Sequence, residues 1–329
     1  MNEDVLAALL EPEERIEGHL KVRGVARYAA DAARPGMLWS ATLYSSVPHA
    51  RIVSLDVSAA RAMAGVHAVL TGADLGSTLW GRRIRDWPLL ATDTVRFIGD
   101  RVAVVAAESP TIAEAAVRAM DVEYEELPAV FDPLEALKEE APTLHPHGDT
   151  YALFGPGTRA PRSHPNVQGT QVVHKDDLDI DKIFAETQRV FEHSFSTPRE
   201  HQGFIEPPAS LLWIDEQDVV HVICTNKMPF GLRDQLITVA GLGDGQIDVD
   251  ANYVGGDFGG KGQVYNELLS YFLARTTGRP IKSVLSYTES LTTHNSRHSS
   301  HIKLRSAVDA QGRFLAHTMD VVFDGGAYA

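Results

Sequence analysis

Residues 17 to about 135 switch repeatedly between the two periods that apolar side chains follow in strands and in helices. Leu38-Trp-Ser-Ala-Thr-Leu43, Ala50-Arg-Ile-Val-Ser-Leu-Asp-Val57 and Arg101-Val-Ala-Val-Val-Ala-Ala107 read as strands, and the last is apolar enough to predict burial on both faces. Ser58-Ala-Ala-Arg-Ala-Met-Ala64 opens on a capping serine and stops before Gly65, which predicts a short helix. Thr111–Met120 follows Pro110 with good helix formers, and Asp121-Val-Glu-Tyr-Glu125 returns to strand. This is an α+β pattern. From 136 to 170 it dissolves into Pro142, Pro146, Gly148, Gly155-Pro-Gly157, Pro161 and Pro165, a linker expected to wrap over the surface.

Strand signals resume in 171–329, around Val190–Phe195, Ser210–Ile214, Val219–Cys224, Ile281–Ser286, His301–Arg305 and Phe314–Phe323. Gln246–Tyr253 reads as a strand, Val264–Arg275 as a helix, and Ser286–His298 as a loop. Residues 1–16 are left as an N-terminal extension, and no internal repeat is visible. The last residues, Phe314 to Ala329, read as a strand and turn leading onward. The expectation is a fold completed by a partner chain, or a fragment.

Composition narrows the function classes. The 329 residues suit about two domains, and 44% hydrophobic content can build real cores. Thirty basic against 44 acidic residues give a formal net charge of −14, which argues against general nucleic-acid binding. One local basic patch stands out, Gly81-Arg-Arg-Ile-Arg85. No apolar run is long enough for a membrane span, and the acidic N-terminus is unlike a secretory signal. A single cysteine, Cys224, excludes an intrachain disulfide and a cysteine-held cluster on this chain, and a cytoplasmic protein is expected.

The chemistry concentrates in Val254-Gly-Gly-Asp-Phe-Gly-Gly-Lys-Gly262. Four glycines in six residues leave backbone with little side-chain cover, able to adopt positive φ and to aim peptide N–H groups at an anionic or oxo ligand. Gly255, Gly260 and Lys261 match the first part of G-x-x-x-x-G-K-[ST], but Gly262 stands where the magnesium-binding hydroxyl belongs, and Phe258 would crowd a nucleotide. A plain turn is the alternative that the motif alone leaves open.

Longer-range order decides between them. The first region carries Gly24-Val-Ala-Arg-Tyr-Ala-Ala-Asp31, Pro35-Gly-Met-Leu38, Gly65-Val-His-Ala-Val-Leu-Thr-Gly-Ala-Asp74 and Val95-Arg-Phe-Ile-Gly-Asp-Arg-Val-Ala-Val-Val-Ala-Ala-Glu108. The second carries His201-Gln-Gly-Phe-Ile-Glu-Pro207, Cys224-Thr-Asn226, Gly255–Lys261, Gly278-Arg-Pro-Ile-Lys282, Arg297-His298 and Gly325-Gly-Ala-Tyr328. Together these resemble the xanthine dehydrogenase and aldehyde oxidase family, the molybdenum hydroxylases, over residues 17 to 329. The resemblance implies an a/b hammerhead domain at 17–135 and the first part of a molybdopterin-binding domain at 171–329.

It also implies a ligand, a molybdenum–molybdopterin cofactor, with its cytosine dinucleotide form left open. Gly256, Asp257, Phe258, Gly259 and Gly260 would lie at the cofactor, Phe258 would line the substrate pocket, and Asn226 would sit in the metal's outer shell. No protein metal ligand is expected, since the pterin dithiolene holds the metal. The reaction implied is oxidation of an aromatic heterocycle, aldehyde or related carbon with water as oxygen source, assisted by a carboxylate base. That catalytic glutamate belongs to a later region of the family, so no catalytic residue is expected on this chain. The implied partners are a companion molybdopterin subunit, as in nicotinate dehydrogenase, an iron–sulfur subunit holding 2Fe–2S clusters and an FAD subunit.

Two positions depart from the family pattern. Asn226 replaces a glutamine and is one methylene shorter, and Gly262 replaces a substrate-binding glutamate of the xanthine-oxidising branch. A scaffold, or an inactive remnant of the same fold, is the alternative that Asn226 and the absence of the family's later region support. Elsewhere, His294, His298 and His301 form an H-x₃-H-x₂-H spacing that superficially suggests zinc. Glu206 and Glu289 are expected to hold turns rather than act as bases, and Cys224 to be a buried structural thiol.

Overall fold

The computed structural model describes residues 15–153, 162–175, 178–251 and 253–329. Most of the N-terminal extension, Gly155-Pro-Gly157 and Pro161 lie outside them.

A seven-stranded mixed sheet dominates, in the spatial order Ile247–Asp250, Val220–Cys224, Ala209–Ile214, Ile281–Val284, Leu38–Tyr44, Arg101–Ala107 and Val66–Thr71. The two halves of the sequence meet at its centre. Leu38 lies opposite Ile281 and Trp39 opposite Lys282 in a parallel pairing, and the Leu38 N–H donates to Pro280 O at 2.8 Å. Helix Glu267–Thr277 buries Leu268, Leu269 and Leu273 against one side of this sheet, together with Leu38, Leu212, Val222 and Ile281. On the other side, helix Pro110–Arg118 packs Ala113 and Ala116 against Ala103, Val105 and Ala107. Arg101–Ala107 is therefore buried along its whole length, as its apolar run predicts.

The central strand also carries a fully buried lysine. Lys282 donates to Ala29 O at 2.6 Å and Ala32 O at 2.9 Å, fastening residues 29–32 to the sheet. Burial holds its pKa at about 8.

A separate antiparallel sheet runs Phe314–Phe323, Ser300–Val308, Val190–Thr197, with helix Ile180–Glu186 packed on one face through Phe184, Ala307 and Ala316. The C-terminal residues return to the first half. Tyr328 stacks on Trp87 at 5.0 Å between ring centroids and donates to Asp100 Oδ2 at 2.9 Å. The described part of the linker is tied down as well, with Asn166 Nδ2 donating to Ala136 O and Pro142 O.

Three local expectations change. Ser58 is the first helical residue rather than the cap. Its N–H donates to Asp56 Oδ1 at 2.8 Å, because the aspartate ending the preceding strand reaches the first free donor. Ser286–His298 is not all loop: Tyr287–Thr293 is a helix closed by a capping box in which Ser286 Oγ accepts from Glu289 N and Glu289 Oε2 from Ser286 N. Glu289 is thus structural. The helix after the glycine segment starts at Glu267 rather than Val264, because Glu267 Oε2 accepts from the Tyr265 N–H and holds that stretch outside the helix. Helix Pro229–Ala240 carries no clear signal in the patterning, since its apolar residues spread around the axis.

Because both halves contribute strands to one sheet, Ile281→Ala should cost roughly 2–5 kcal/mol. Tryptophan fluorescence, to which Trp39, Trp80, Trp87 and Trp213 contribute from both halves of the chain, should then report a single transition at lower denaturant, whereas two transitions moving independently would contradict a shared core.

Candidate functional site

Motifs far apart in sequence converge on the glycine loop. Glu206 Oε2 accepts from the Gly255 N–H at 2.5 Å and from Lys261 Nζ at 2.9 Å, so one carboxylate clamps both ends of the segment. Lys261 is fully buried, with its ammonium 4.6 Å from the centre of the Phe204 ring. Burial outweighs the neighbouring carboxylate and lowers its pKa. This lysine points into the protein, which removes the side chain that a phosphate loop would need.

Inside the clamp, Asp257 organises the turn. Its carboxylate accepts from Gly259 N at 3.0 Å, Lys261 N at 2.6 Å and Lys227 Nζ at 2.7 Å. Partial burial pushes that carboxyl's pKa up, but Lys227 and the two N–H groups outweigh it and hold the pKa below the usual carboxylate range. Gly256 and Gly259 both have φ of 94°, and Phe258 has φ of 48°. A side chain at Gly256 would meet Phe258 at 3.1 Å and Phe204 at 3.2 Å, and one at Gly260 would meet His294 and Phe204, each at 3.0 Å. Phe258 is 62% exposed, and its carbonyl accepts from Arg297 Nη2 at 3.0 Å.

The loop's own donors divide into two sets. The N–H groups of Gly255, Gly259, Gly260, Lys261 and Gly262 all have acceptors. Those of Gly256, Asp257 and Phe258 have none among the described residues. Three consecutive donors on a segment held in unusual φ, with both lysines already neutralised by carboxylates, make a site for an oxo or anionic acceptor that relies on backbone rather than side-chain charge. Open space beside Gly259, where nothing lies within 4 Å of an added Cβ, leaves room for a large group.

Asn226 is buried beside the loop's exit. Its Nδ2 donates to Gln263 O at 2.9 Å and its Oδ1 accepts from Met228 N at 2.7 Å. Below the loop, His294 stacks on Tyr265 at 4.6 Å and contacts Phe204. His294 Nδ1 lies 2.6 Å from Asn295 O, and Nε2 forms a short contact with the Tyr265 hydroxyl. A carbonyl can only accept, so Nδ1 carries a proton, while the single hydroxyl hydrogen of Tyr265 has both Nε2 and Gly260 O, at 3.1 Å, within reach. Burial lowers this histidine's pKa to about 4.

The three histidines of the zinc-like spacing do not meet. His298 Nδ1 lies 2.8 Å from Asp324 O, and His301 Nε2 is 3.9 Å from Asp132. Among the described residues no group of three His, Cys, Asp or Glu could hold a metal ion. Cys224 is buried, and desolvation, reinforced by Glu267 and Asp250, pushes its thiol pKa up, out of the reactive range. Sequence reasoning missed that Glu206 pairs with Lys261, and that Phe204 and His294 floor the loop. The motif His201–Pro207 held that signal.

Residues 163–329, half of the chain, match the family model of the molybdopterin cofactor-binding domain. Residues 23–128 match that of the aldehyde oxidase and xanthine dehydrogenase a/b hammerhead domain. The chain belongs to the aldehyde oxidase and xanthine dehydrogenase family. Similarity to this family's members runs through nearly all of the chain. It is 35% identical to the large molybdopterin subunit of nicotinate dehydrogenase from Eubacterium barkeri, over 96% of this chain and 70% of that protein. It is 32% identical to one subunit of a probable xanthine dehydrogenase from Bacillus subtilis, over 96% of this chain and 40% of that one. Quinoline 2-oxidoreductase from Pseudomonas putida 86 superposes with a TM-score of 0.81 at 32% identity, over 96% of this chain and 39% of that chain. The chain thus spans well under half the length of the last two.

Two measurements check the geometry of this glycine loop. Glu206→Gln should destabilise by about 3–5 kcal/mol, because it strands a buried ammonium, and adding Lys261→Met should recover most of the loss. Urea unfolding in which the single substitution changed little would contradict the clamp. The second concerns His294, whose folded pKa of about 4 lies below its ordinary 6.5. Its contribution is fully present above pH 6.5 and lost as pH falls through 4, in total roughly 3 kcal/mol. His294→Gln should flatten the loss of stability between pH 7 and pH 4, and an unchanged pH profile would refute the neutral buried imidazole.

Proposed function

We propose that this chain forms one wall of the cofactor site in a multi-subunit molybdenum hydroxylase that oxidises an aromatic heterocycle, an aldehyde or a related carbon centre. The observation that carries the proposal is the run of unpartnered N–H groups at Gly256, Asp257 and Phe258 within a molybdopterin cofactor-binding domain. These donors fit oxo and phosphate oxygens, which are acceptors only. When bound, the molybdenum–pterin group, in its plain or cytosine dinucleotide form, supplies two-electron oxidation with water as the oxygen source.

The chain's own residues then bind and orient. Gly256, Gly259 and Gly260 let the backbone approach closely, and Asp257 fixes the turn that aims the free donors. Phe258 offers an exposed ring face against which a planar substrate can lie. Among the described residues, Asn226 Nδ2 spends one of its two hydrogens on Gln263 O, and the other is assigned to the cofactor's outer shell. The carboxylate base is assigned to a companion polypeptide, and onward electron transfer to iron–sulfur and FAD subunits. Nicotinate and quinoline, in the names of two relatives, favour a nitrogen heterocycle as substrate. No helix among the described residues is long and apolar enough to cross a membrane, and we assign the assembled enzyme to the cytoplasm.

Elemental analysis of the purified complex tests the reading. Stoichiometric molybdenum is expected, and a metal-free complex would overturn the proposal in favour of a scaffold. Gly256→Val should strain the loop by about 1–3 kcal/mol and lower molybdenum and pterin content to roughly a tenth. Full cofactor content in that variant would sink the loop assignment.

A further inference from the structure

The three-stranded sheet has two chemically different faces. Its register places Ile302 opposite Phe195, Leu304 opposite Met319, Ser306 opposite Phe191 and Ser300 opposite Phe323, all on one face. The other face presents Lys303, Arg305 and Ala307, and it carries helix Ile180–Glu186, with the Arg305 guanidinium 4.2 Å from the Phe184 ring centre. On the first face Phe191 is 51% exposed, Phe195 53%, Met319 60% and Phe323 64%. It bears no lysine, arginine, aspartate or glutamate on any of its three strands. Six large apolar side chains, interleaved with His193, His317, Thr197, Ser300 and Ser306 but with no lysine, arginine, aspartate or glutamate, have the composition of an interface rather than of a solvated surface.

We infer that this face is the seat of a polypeptide that completes the molybdopterin-binding subunit, an inference that rests on the function proposed above. Two observations select that occupant. Quinoline 2-oxidoreductase has the same fold over 96% of this chain, yet only 39% of its own chain is covered, so further polypeptide accompanies this fold there. The sheet itself also runs up to the glycine loop. Arg297, just before strand Ser300–Val308, pairs its backbone with Glu200 and donates its side chain to Phe258 O. Strand Ser300–Val308 therefore begins beside the loop, and a body seated over Ser300 and Phe323 lies at that end of the sheet.

The lone cysteine makes the test clean, because Cys224 is buried and leaves an introduced thiol as the reactive one. Met319→Cys probes the apolar face, and Lys303→Cys, exposed on the opposite face, is the control. Both should react with a maleimide in the isolated chain. In the enzyme purified from its native host through a tag on this chain, Met319→Cys should react at least about ten-fold more slowly while Lys303→Cys is unchanged. A benzophenone maleimide on the Met319→Cys thiol should cross-link to a polypeptide with molybdopterin cofactor-binding domain sequence. Equal labelling in both states, or cross-linking to a second copy of this chain or to an iron–sulfur subunit, would overturn the inference. Protection in a complex without molybdenum would uphold this face and sink the proposed function, whereas molybdenum without protection would do the reverse.

Discussion

The glycine loop depends on a buried ion pair. A segment with four glycines in six residues has little intrinsic preference for any conformation, and ordering it carries a large entropic cost. Glu206 offsets that cost by holding Gly255 and Lys261 with one carboxylate oxygen. Such a pair adds little net stability against an apolar equivalent, but neither partner can leave without stranding the other. The structure thus gains a fixed loop shape. Asp257 divides the remaining donors, satisfying those of Gly259 and Lys261 and leaving those of Gly256, Asp257 and Phe258 free.

The clamp in turn relies on the shared sheet. Glu206 precedes Pro207-Pro208 at the entry to strand Ala209–Ile214, whose neighbour Ile281–Val284 pairs with Leu38–Tyr44 from the first half of the chain. A disturbance at Leu38 or Ile281 therefore reaches the loop through two strands. Tyr328 closes a second link by docking on Trp87 and Asp100. The hammerhead region and the cofactor-binding region are one mechanical unit in this chain, although separate family models match them.

Much of this was legible in the sequence. Arg101–Ala107 announced a strand buried on both faces, because a strand with one solvated face would not carry six consecutive apolar residues after Arg101. The family motifs announced the ligand class, and their separate segments turn out to be the pieces that touch: His201–Pro207 supplies Phe204 and Glu206, and Arg297 holds Phe258. Less was legible where the outcome depended on a distant partner. Nothing local shows that Lys261 turns inward, since that follows from a carboxylate 55 residues away. The helix at Tyr287–Thr293 was hidden by its threonines, poor helix formers that the Ser286–Glu289 capping box outweighs. The apolar face of the small sheet was hidden too, because alternation shows which residues share a face but not whether anything covers it.

Amide hydrogen exchange across residues 254–262, before and after cofactor loading, tests the central claim most directly. The amides of Gly259 and Lys261, which already have acceptors, should be protected in both states. Those of Gly256, Asp257 and Phe258 should exchange quickly in the unloaded protein and become protected on loading. Exchange at 256–258 that is unaffected by loading would contradict the account, because the loop would then hold its shape without using its free donors.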